Sequence, residues 1–236
     1  MKINNISIGL PCYNEENSIK VVINSCLKFI KKNKIKNWEL LLVDNKSTDS
    51  TTLIIHSLIN KYKSSNIKLI KNKKNILYSG SANKIIQKSK FNLVCIMDSD
   101  NQYDINDISK LYNLLNQKKL DLVIGKRVNR QDPISRKIIS KIFLFFSRIL
   151  INNNLKDLNC GLRILKKNKR IKKYIKYNLN FCNPELYARY LSNNLKIGET
   201  KINHFDRDNG KSIHNLINLS KTFFIVIIYL FKLRNI

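Results

Sequence analysis

The sequence predicts an α/β protein built on a doubly wound, mostly parallel sheet with helices on both faces. Short apolar runs alternate along the chain with segments whose apolar residues keep helical spacing, and this alternation is typical of consecutive strand–helix–strand units. The apolar runs are almost continuous, as expected of strands that are covered on both faces. A chain of 236 residues can bury one substantial core, and its three prolines and six glycines form no linker.

The predicted elements follow from apolar periodicity and from the polar residues that punctuate it. Capping residues at 14–17 and 47–50 precede two helical segments, and Asn183-Pro184-Glu185 places a proline in the first turn of a later helix. In chain order the prediction is strand 6–10, a helix after 14–17 that runs to about 32, strand 38–43, a helix through 53–62, strand 67–70, helix 79–89, strand 93–97, helix 105–117, strand 120–124, helix 138–151, strand 162–165, a helix from 183, strand 195–202 and an apolar helix within 216–233.

We expect one domain over residues 1–215 and a short apolar C-terminal helix over residues 216–236. Residues 222–231 carry no charge, but such a stretch is well short of the roughly 20 residues that a membrane-spanning helix needs. The tail is therefore expected to lie in a membrane interface or to pack on the domain.

The net charge of +28, from 44 basic and 16 acidic residues, has two interpretations. It indicates a polyanionic partner such as a nucleotide or an anionic membrane surface, or it reflects lysines that are simply solvated. The lysines are dispersed, and aromatic residues do not interleave with arginine in a nucleic-acid-binding signature, so no nucleic-acid partner is expected.

Five cysteines with no C-x-x-C pair argue against a disulfide framework or a zinc site. This pattern fits a reducing, cytoplasmic compartment.

The strongest chemical signal is Asp98-Ser99-Asp100-Asn101-Gln102, directly after the apolar run 93–97. If the chain stays extended, Asp98, Asp100 and Gln102 lie on one side of it. Two carboxylates and an amide oxygen suit Mg²⁺ or Mn²⁺ and not zinc. The alternative is an acidic turn that caps the next helix.

Polar residues also follow two other predicted strands: Pro11-Cys12-Tyr13-Asn14-Glu15 and Asp44. The carboxyl ends of parallel strands meet at one edge of a sheet, where ligands bind. The first two ends are suited to line the base and ribose of a nucleotide, and the third to hold its diphosphate through a metal. Helix capping by Asp44 and ordinary first-turn charge at Glu15 remain alternatives.

These motifs, taken in order, resemble glycosyltransferase family 2 with the GT-A fold. The series is Pro11-x-Tyr13-Asn14-Glu15, Val43 to Thr51, and Met97-Asp98-Ser99-Asp100. Further motifs are similar to the dolichyl-phosphate mannose synthase branch, and the resemblance covers residues 3 to about 215. They are Asp98-x-Asp100-x-Gln102, Ile124-Gly125-Lys126-Arg127, Asp157 with Gly161-Leu162-Arg163, and His204-Phe205-x-Arg207-x-x-Gly210-Lys211-Ser212.

The sequence departs from the family pattern at several positions. Asn45-Lys46 stand where Asp-Gly is usual, and Tyr78 and Lys90 stand where glycines are common. A glycine pair that often follows the Arg127 motif is absent from residues 129–132.

The resemblance implies a role for each matching residue. A divalent ion, Mg²⁺ or Mn²⁺, would be held by Asp98, Asp100 and Gln102. The catalytic set would be Asp98, Asp100, Arg127 and Arg207. The nucleotide sugar would contact Pro11, Tyr13, Asn14, Glu15, Asp44 and Ser99. The acceptor phosphate would contact Arg136, Ser140, Arg207 and Lys211, in keeping with the suitability of arginine for bidentate phosphate contacts and of lysine as a point charge.

The predicted function is an inverting transfer of a sugar from a GDP- or UDP-linked donor to a polyprenyl or dolichyl phosphate. A phosphate monoester is mostly dianionic at neutral pH and needs no general base. The alternative is transfer to a saccharide hydroxyl with Glu185 as the base. From other classes, a basic nucleic-acid-binding module and a catalytically silent scaffold are the alternatives, and the Asp98 and Asp100 carboxylates argue against the first. The predicted location is peripheral, at the cytoplasmic face of a membrane, with a membrane protein as a possible partner.

Overall fold

Seven strands of the described residues form one sheet, in the order β3-β2-β1-β4-β6-β5-β7. The structure is a computed structural model that describes residues 2–128, 134–177, 179–206 and 219–236. The strands are β1 (Asn5–Cys12), β2 (Asn37–Asp44), β3 (Ile67–Lys71), β4 (Leu93–Ile96), β5 (Leu122–Val128), β6 (Arg163–Lys166) and β7 (Ile197–Asn203). Strand β6 runs antiparallel to both neighbours, and the remaining pairs are parallel.

The helices connect the strands and cover the sheet. They are α1 (Ile19–Lys32), α2 (Thr51–Tyr62), α3 (Leu77–Lys88), α4 (Asp107–Gln117), α5 (Ile134–Ile151), α6 (Asn183–Ser192) and α7 (Leu219–Arg234). The predicted fold class, a mostly parallel doubly wound sheet, is confirmed.

The central strands are buried on both faces, which explains their nearly unbroken apolar sequence. Seven of the eight residues of β1 are buried, as are the last six of β2, which ends at Asp44. Full burial of each large aliphatic side chain contributes about 1.5–3 kcal/mol. The core therefore fixes the places at which these strands end.

The ends of two elements are set by identifiable contacts. Helix α1 begins at Ile19, after the predicted capping residues 14–17: Asn14 adopts a left-handed backbone (φ 54°), and the carbonyl of Glu15 accepts from the N–H groups of Ser18 and Ile19. Strand β5 continues to Val128, beyond the predicted end at 124, because its polar residues stay in register with β7, as in the pair Arg127–Ile202.

The C-terminal helix α7 packs against α5 and α6. Val226, Tyr229, Leu230 and Leu233 are buried, and the Tyr229 ring lies edge-on to Phe181 at 5.3 Å between centroids. Among the helices of the described ranges, none is both long and apolar enough to cross a membrane.

Candidate functional site

The carboxyl ends of β1, β2 and β4 meet at one edge of the sheet. The register pairs Cys12 with Asp44 and Gly9 with Ile96, so the polar segments that follow these strands are neighbours. Because β6 is antiparallel, its first residue, Arg163, lies at the same edge, opposite Ile96. Strand β5 passes Arg163 at Ile124 and carries Arg127 to this edge as well. The predicted motifs are thus brought together by strand order and register.

Direct hydrogen bonds join the loops that follow β1 and β2. The backbone N–H of Asn14 donates to Ser47 Oγ (3.1 Å), and the side-chain oxygen of Asn14 accepts from the Thr48 N–H (2.9 Å). The Glu15 N–H donates to Thr51 Oγ1 (2.7 Å). Tyr13 and Glu15 remain half-buried and Asn14 is exposed, whereas Pro11 is buried. The two motifs therefore form one loop pair, and their contacts with a nucleotide stay a prediction.

Asp44 and Ser99 support this loop pair through hydrogen bonds. Asp44 is 3% exposed and accepts from the Ser47 N–H (3.1 Å) and the Thr52 hydroxyl (3.0 Å), so it does orient the start of α2. The Ser99 hydroxyl is also buried and donates to the carbonyl of Pro11 (2.8 Å). Both side chains have structural partners, and their contact with a nucleotide sugar remains untested.

The acidic segment, residues 98–102, bends where it was expected to stay extended. Strand β4 ends at Ile96, and Asn101 has a left-handed backbone (φ 62°). The Gln102 N–H donates to Asp100 Oδ1 (3.2 Å), an arrangement in which an aspartate side chain turns the chain two residues on. The alternation predicted for Asp98, Asp100 and Gln102 was therefore wrong. The amide nitrogen of Gln102 donates to the carbonyl of Phe205 (3.1 Å), so this side chain ties the segment to the end of β7.

Asp98 is enclosed by Tyr78 and Gly161, neither of which was predicted to touch it. The Tyr78 hydroxyl donates to Asp98 Oδ1 (2.6 Å). A Cβ atom added at Gly161 would lie 1.9 Å from Asp98 Oδ2, so only glycine leaves room for this carboxylate. Burial raises the pKa of Tyr78 well above its ordinary value, and the phenol keeps its proton at neutral pH.

Behind Tyr78 lies Arg163, a fully buried arginine at the start of β6. Its Nη2 donates to the Tyr78 hydroxyl (2.8 Å), and its guanidinium lies 5.4 Å from the centroid of the Tyr78 ring. Its Nε has no hydrogen-bond partner among the described residues. A charged residue inside the apolar run 162–165 was the available sequence signal.

Arg127 lies at the end of β5 and is held by Asp157. Its Nε and Nη2 donate to the two carboxylate oxygens of Asp157, both at 2.8 Å. This bidentate pair engages two of the five N–H donors of the guanidinium. Arg127 is thus oriented at the site edge, and its catalytic role stays a prediction.

The predicted acceptor residues are less completely described. Arg207 and Lys211 lie outside the described residues. Arg136 lies within α5, in a part whose side chains are not described. Ser140 is half-buried on the same helix.

Glu185, the base considered for a hydroxyl acceptor, is fully buried in α6. It accepts hydrogen bonds from the backbone N–H groups of Lys176 (2.7 Å) and Tyr177 (3.1 Å), and from the guanidinium of Arg189 (2.6 and 2.9 Å). A carboxylate with four donors and no exposed surface has no access to a substrate hydroxyl. The structure therefore contradicts its use as a general base.

The donor set at the acidic segment fits a divalent cation that is shared with a ligand. Within residues 2–128, 134–177, 179–206 and 219–236, no three His, Cys, Asp or Glu side chains converge on one point. The protein ligands that Asp98 and Asp100 offer to a cation are therefore two carboxylates. Mg²⁺ is commonly bound by one or two carboxylates together with substrate phosphates, so this set fits a metal–diphosphate complex.

Comparison with known proteins identifies the family of the chain. The model of glycosyl transferase family 2 matches residues 7–187. The chain is 25% identical over 222 residues to the dolichyl-phosphate beta-glucosyltransferase of Dictyostelium discoideum, covering 87% of this chain and 68% of that protein. It is 26% identical over 225 residues to the dodecaprenyl-phosphate galacturonate synthase of Rhizobium johnstonii, covering 94% and 64%. The chain thus spans about two thirds of the length of these curated relatives.

Solved structures share the fold. Glucosyl-3-phosphoglycerate synthase from Mycobacterium tuberculosis in complex with phosphoglyceric acid has a TM-score of 0.73 at 16% identity, covering 97% of this chain and 80% of that one. The same enzyme with Mn²⁺, UDP-glucose and phosphoglyceric acid has a TM-score of 0.71 at 15% identity, with the same coverage. At such identities the likeness concerns the fold. The family match over more than half of the chain confirms the resemblance seen in the motifs: the chain belongs to glycosyl transferase family 2.

Proposed function

We propose that this protein transfers a sugar from a GDP- or UDP-linked donor to a polyprenyl phosphate, with inversion at the anomeric carbon. The observation that carries the proposal is the position of Asp98 and Asp100 at the sheet edge, beside the loop pair that follows β1 and β2. The names of both curated relatives include a polyprenyl phosphate, which supports this choice of acceptor.

The donor nucleotide would lie across the ends of β1 and β2. Tyr13, half-buried beside the loop pair, offers a ring for the base, and Asp44 offers carboxylate oxygens to base N–H groups. The diphosphate would then reach the acidic segment, since that segment follows the adjacent strand β4. Asp98 and Asp100 would hold the divalent ion, with Gln102 beside them.

A bound divalent ion would neutralise charge on the departing diphosphate. The residues of the chain orient the reactants. Arg127, fixed by Asp157, presents a cation at the same edge, and Arg207 and Lys211 are the sequence-based candidates for the acceptor phosphate. A phosphate dianion attacks without giving up a proton, so positioning and charge screening suffice. The burial of Glu185 supports this acceptor over a saccharide hydroxyl.

We further propose that α5 and α7 contact an anionic membrane surface. The two helices pack on each other and expose large apolar side chains, among them Phe145 (58%), Ile149 (60%) and Phe231 (52%). Exposed cations accompany them, including Arg148 and Lys232. Each lysine or arginine near an anionic surface adds about 1 kcal/mol of attraction. This combination suits a peripheral location on a membrane that carries the lipid acceptor.

Flotation with phosphatidylserine-containing vesicles tests the membrane contact. The wild-type protein should float at low salt and less at high salt, and Ile149→Glu should reduce flotation at both. Leu53→Glu is the control, because Leu53 is 72% exposed on α2, away from α5 and α7. Equal flotation of both variants would contradict the assigned surface, and retention on lipid after carbonate extraction would contradict peripheral binding.

A donor and metal panel tests the catalytic proposal. Purified protein is incubated with UDP- and GDP-linked sugars, a short polyprenyl phosphate, and Mg²⁺, Mn²⁺ or EDTA. We expect a lipid-linked sugar with one donor class, and its loss in EDTA. Full turnover in EDTA would overturn the metal requirement.

A further inference from the structure

A chain of hydrogen bonds runs from the buried Arg163 through the half-buried Tyr78 to Asp98. Arg163 is 1% exposed and donates to the Tyr78 hydroxyl at 2.8 Å, and that hydroxyl donates to Asp98 Oδ1 at 2.6 Å. The direction of both hydrogen bonds is fixed, because an arginine side chain only donates and a carboxylate only accepts. The Tyr78 hydroxyl therefore accepts from Arg163 and donates to Asp98. A buried positive charge is thereby connected to a carboxylate of the candidate metal site.

The residues before and after Tyr78 fix the position of its backbone. Leu77 has a left-handed backbone (φ 58°), and its N–H donates to the side-chain oxygen of Asn75 (2.8 Å). A residue other than glycine keeps this conformation only where the surrounding structure fixes it, and such residues cluster at functional sites. On the other side, Ser79 exchanges hydrogen bonds with Leu179, through its N–H (2.9 Å) and its Oγ (2.6 Å). The Tyr78 side chain therefore starts from a fixed backbone.

Packing alone does not account for Arg163. Its neighbours in the strand register, Ile96 and Ile124, are aliphatic, and an aliphatic residue would fill this position without desolvating a charge. Among the described residues its Nε lacks a hydrogen-bond partner, so a buried cation is kept here with one donor unsatisfied. Its route to a negative group passes through the Tyr78 hydroxyl to Asp98.

The second oxygen of Asp98 is confined as well. Gly161 lies so close to Oδ2 that a Cβ atom there would be 1.9 Å from it. Gly161 itself is held by its N–H, which donates to the buried Tyr103 hydroxyl (2.9 Å). The carboxylate is thus restricted on one side by a hydrogen bond and on the other by backbone contact.

We propose that Tyr78 and Arg163 are positioning residues that hold Asp98 in the orientation needed to bind a divalent cation together with a diphosphate. The inference rests on the metal-dependent nucleotide site proposed above. Partners that hydrogen-bond to metal-ligating carboxylates typically change metal affinity 10- to 100-fold when they are removed. Tyr78 and Arg163 need not touch the substrate to act in this way.

The test compares Tyr78→Phe with Tyr190→Phe. Both replacements remove one hydrogen-bonded hydroxyl and keep the ring. Tyr190 donates to the carbonyl of Lys166 (2.7 Å), which pairs with Leu93 at the opposite end of β4 and β6 from Asp98. Mn²⁺ binding is followed by the electron paramagnetic resonance signal of free Mn²⁺, in the presence of UDP or GDP, whichever shows the stronger Mn²⁺-dependent binding to the wild-type protein. Nucleotide binding in EDTA and urea unfolding are measured on the same samples.

We expect Tyr78→Phe to weaken Mn²⁺ affinity by about 10- to 100-fold, with unchanged nucleotide binding in EDTA. Tyr190→Phe should bind Mn²⁺ as the wild type does, even if both variants lose similar stability. Mn²⁺ affinity of Tyr78→Phe within twofold of the wild type, or tighter, would overturn the positioning role alone. A wild-type protein that binds no Mn²⁺ with either nucleotide would overturn the proposed metal site together with this inference.

Discussion

Glu185 and Arg189 form a buried ion pair one helical turn apart in α6, with 2.6 Å between Oε1 and Nη2. The same carboxylate holds the backbone N–H groups of Lys176 and Tyr177. It therefore fastens the segment before α6 to that helix. This arrangement gives Glu185 a structural role and argues against it as the base for a hydroxyl acceptor.

Glu185→Gln should destabilise the protein and leave the chemistry of the folded protein nearly intact. Breaking a buried pair by removing one partner costs about 3–5 kcal/mol. Loss of a general base instead lowers turnover by about 10²- to 10⁴-fold. We expect a lower free energy of unfolding in urea. Turnover per folded molecule should stay within about a few-fold of the wild type, far from the loss expected of a missing base. Arg189→Met is the control and should behave alike. A stable Glu185→Gln protein with a hundredfold loss of turnover would contradict this assignment.

Gly161→Ala should abolish metal-dependent nucleotide binding. The new methyl group would meet Asp98 Oδ2 at 1.9 Å and displace the carboxylate. Gly198→Ala is the matched control, because its methyl group meets only the flexible end of Leu120 at less than 3 Å, at the start of β7. Calorimetry with Mn²⁺ and nucleoside diphosphate should show at least about a tenfold loss for the first variant. Equal loss in both would point to a general packing effect.

Arg207→Ala should slow transfer to polyprenyl phosphate and leave donor affinity unchanged. A charge-assisted contact contributes about 1.5–3 kcal/mol, which corresponds to about 10- to 100-fold in rate. Arg170→Ala, at an exposed position after β6, removes the same charge and should be near normal. Steady-state kinetics with each substrate varied in turn separates the two effects. Weakened donor binding in Arg207→Ala would place this residue at the nucleotide.

The stability of the protein should depend on pH through Glu39. This residue is 1% exposed, and hydrogen bonds from Ser7 (2.7 Å), from the Lys90 N–H and from Lys68 (3.1 Å) reach its carboxylate. Burial acts to raise the pKa of Glu39, but these partners outweigh it and lower the pKa below the ordinary 4.5. The stabilisation is therefore present above the unfolded-state pKa and is lost as pH falls through the folded-state pKa.

Urea unfolding of the wild type and Glu39→Gln between pH 3 and 7 measures this effect. The wild type should be the more stable protein at pH 7, and the difference should shrink only below about pH 4.5. A difference that is constant over the whole range would show that the charge of Glu39 contributes nothing.

The fold could be predicted from the sequence because its strands are buried on both faces. Nearly continuous apolar runs such as 38–43, interrupted only by Glu39, mark central strands, and the polar residues that follow them mark the edge where ligands bind. The antiparallel direction of β6 was not predictable, because apolar pattern carries no information on strand direction. The bend after Asp98 depends on one side-chain hydrogen bond, from the Gln102 N–H to Asp100, and periodicity does not encode such a contact.

The positions that matter around Asp98 were visible in the sequence, but their contacts were not. Tyr78 stood out as a large residue where the family pattern has glycine, and Arg163 as a charge inside an apolar run. Their contact joins α3 to β6 across 85 positions of sequence. Only the packing of the two elements brings them together. The sequence allowed Glu185 as a catalytic base, and only its burial and its contacts with Lys176 and Tyr177 argue against that role.

The central claim, that a lipid phosphate is the acceptor, is tested most directly by one acceptor competition. Radiolabelled nucleotide sugar is offered with Mg²⁺ to equal concentrations of a polyprenyl phosphate, the matching polyprenol and an oligosaccharide. We expect label to enter the polyprenyl phosphate alone, because Arg207 and Lys211 are suited to hold a phosphate and the buried carboxylate of Glu185 on α6 has no access to a hydroxyl acceptor. Label in the oligosaccharide, with none in the polyprenyl phosphate, would contradict it.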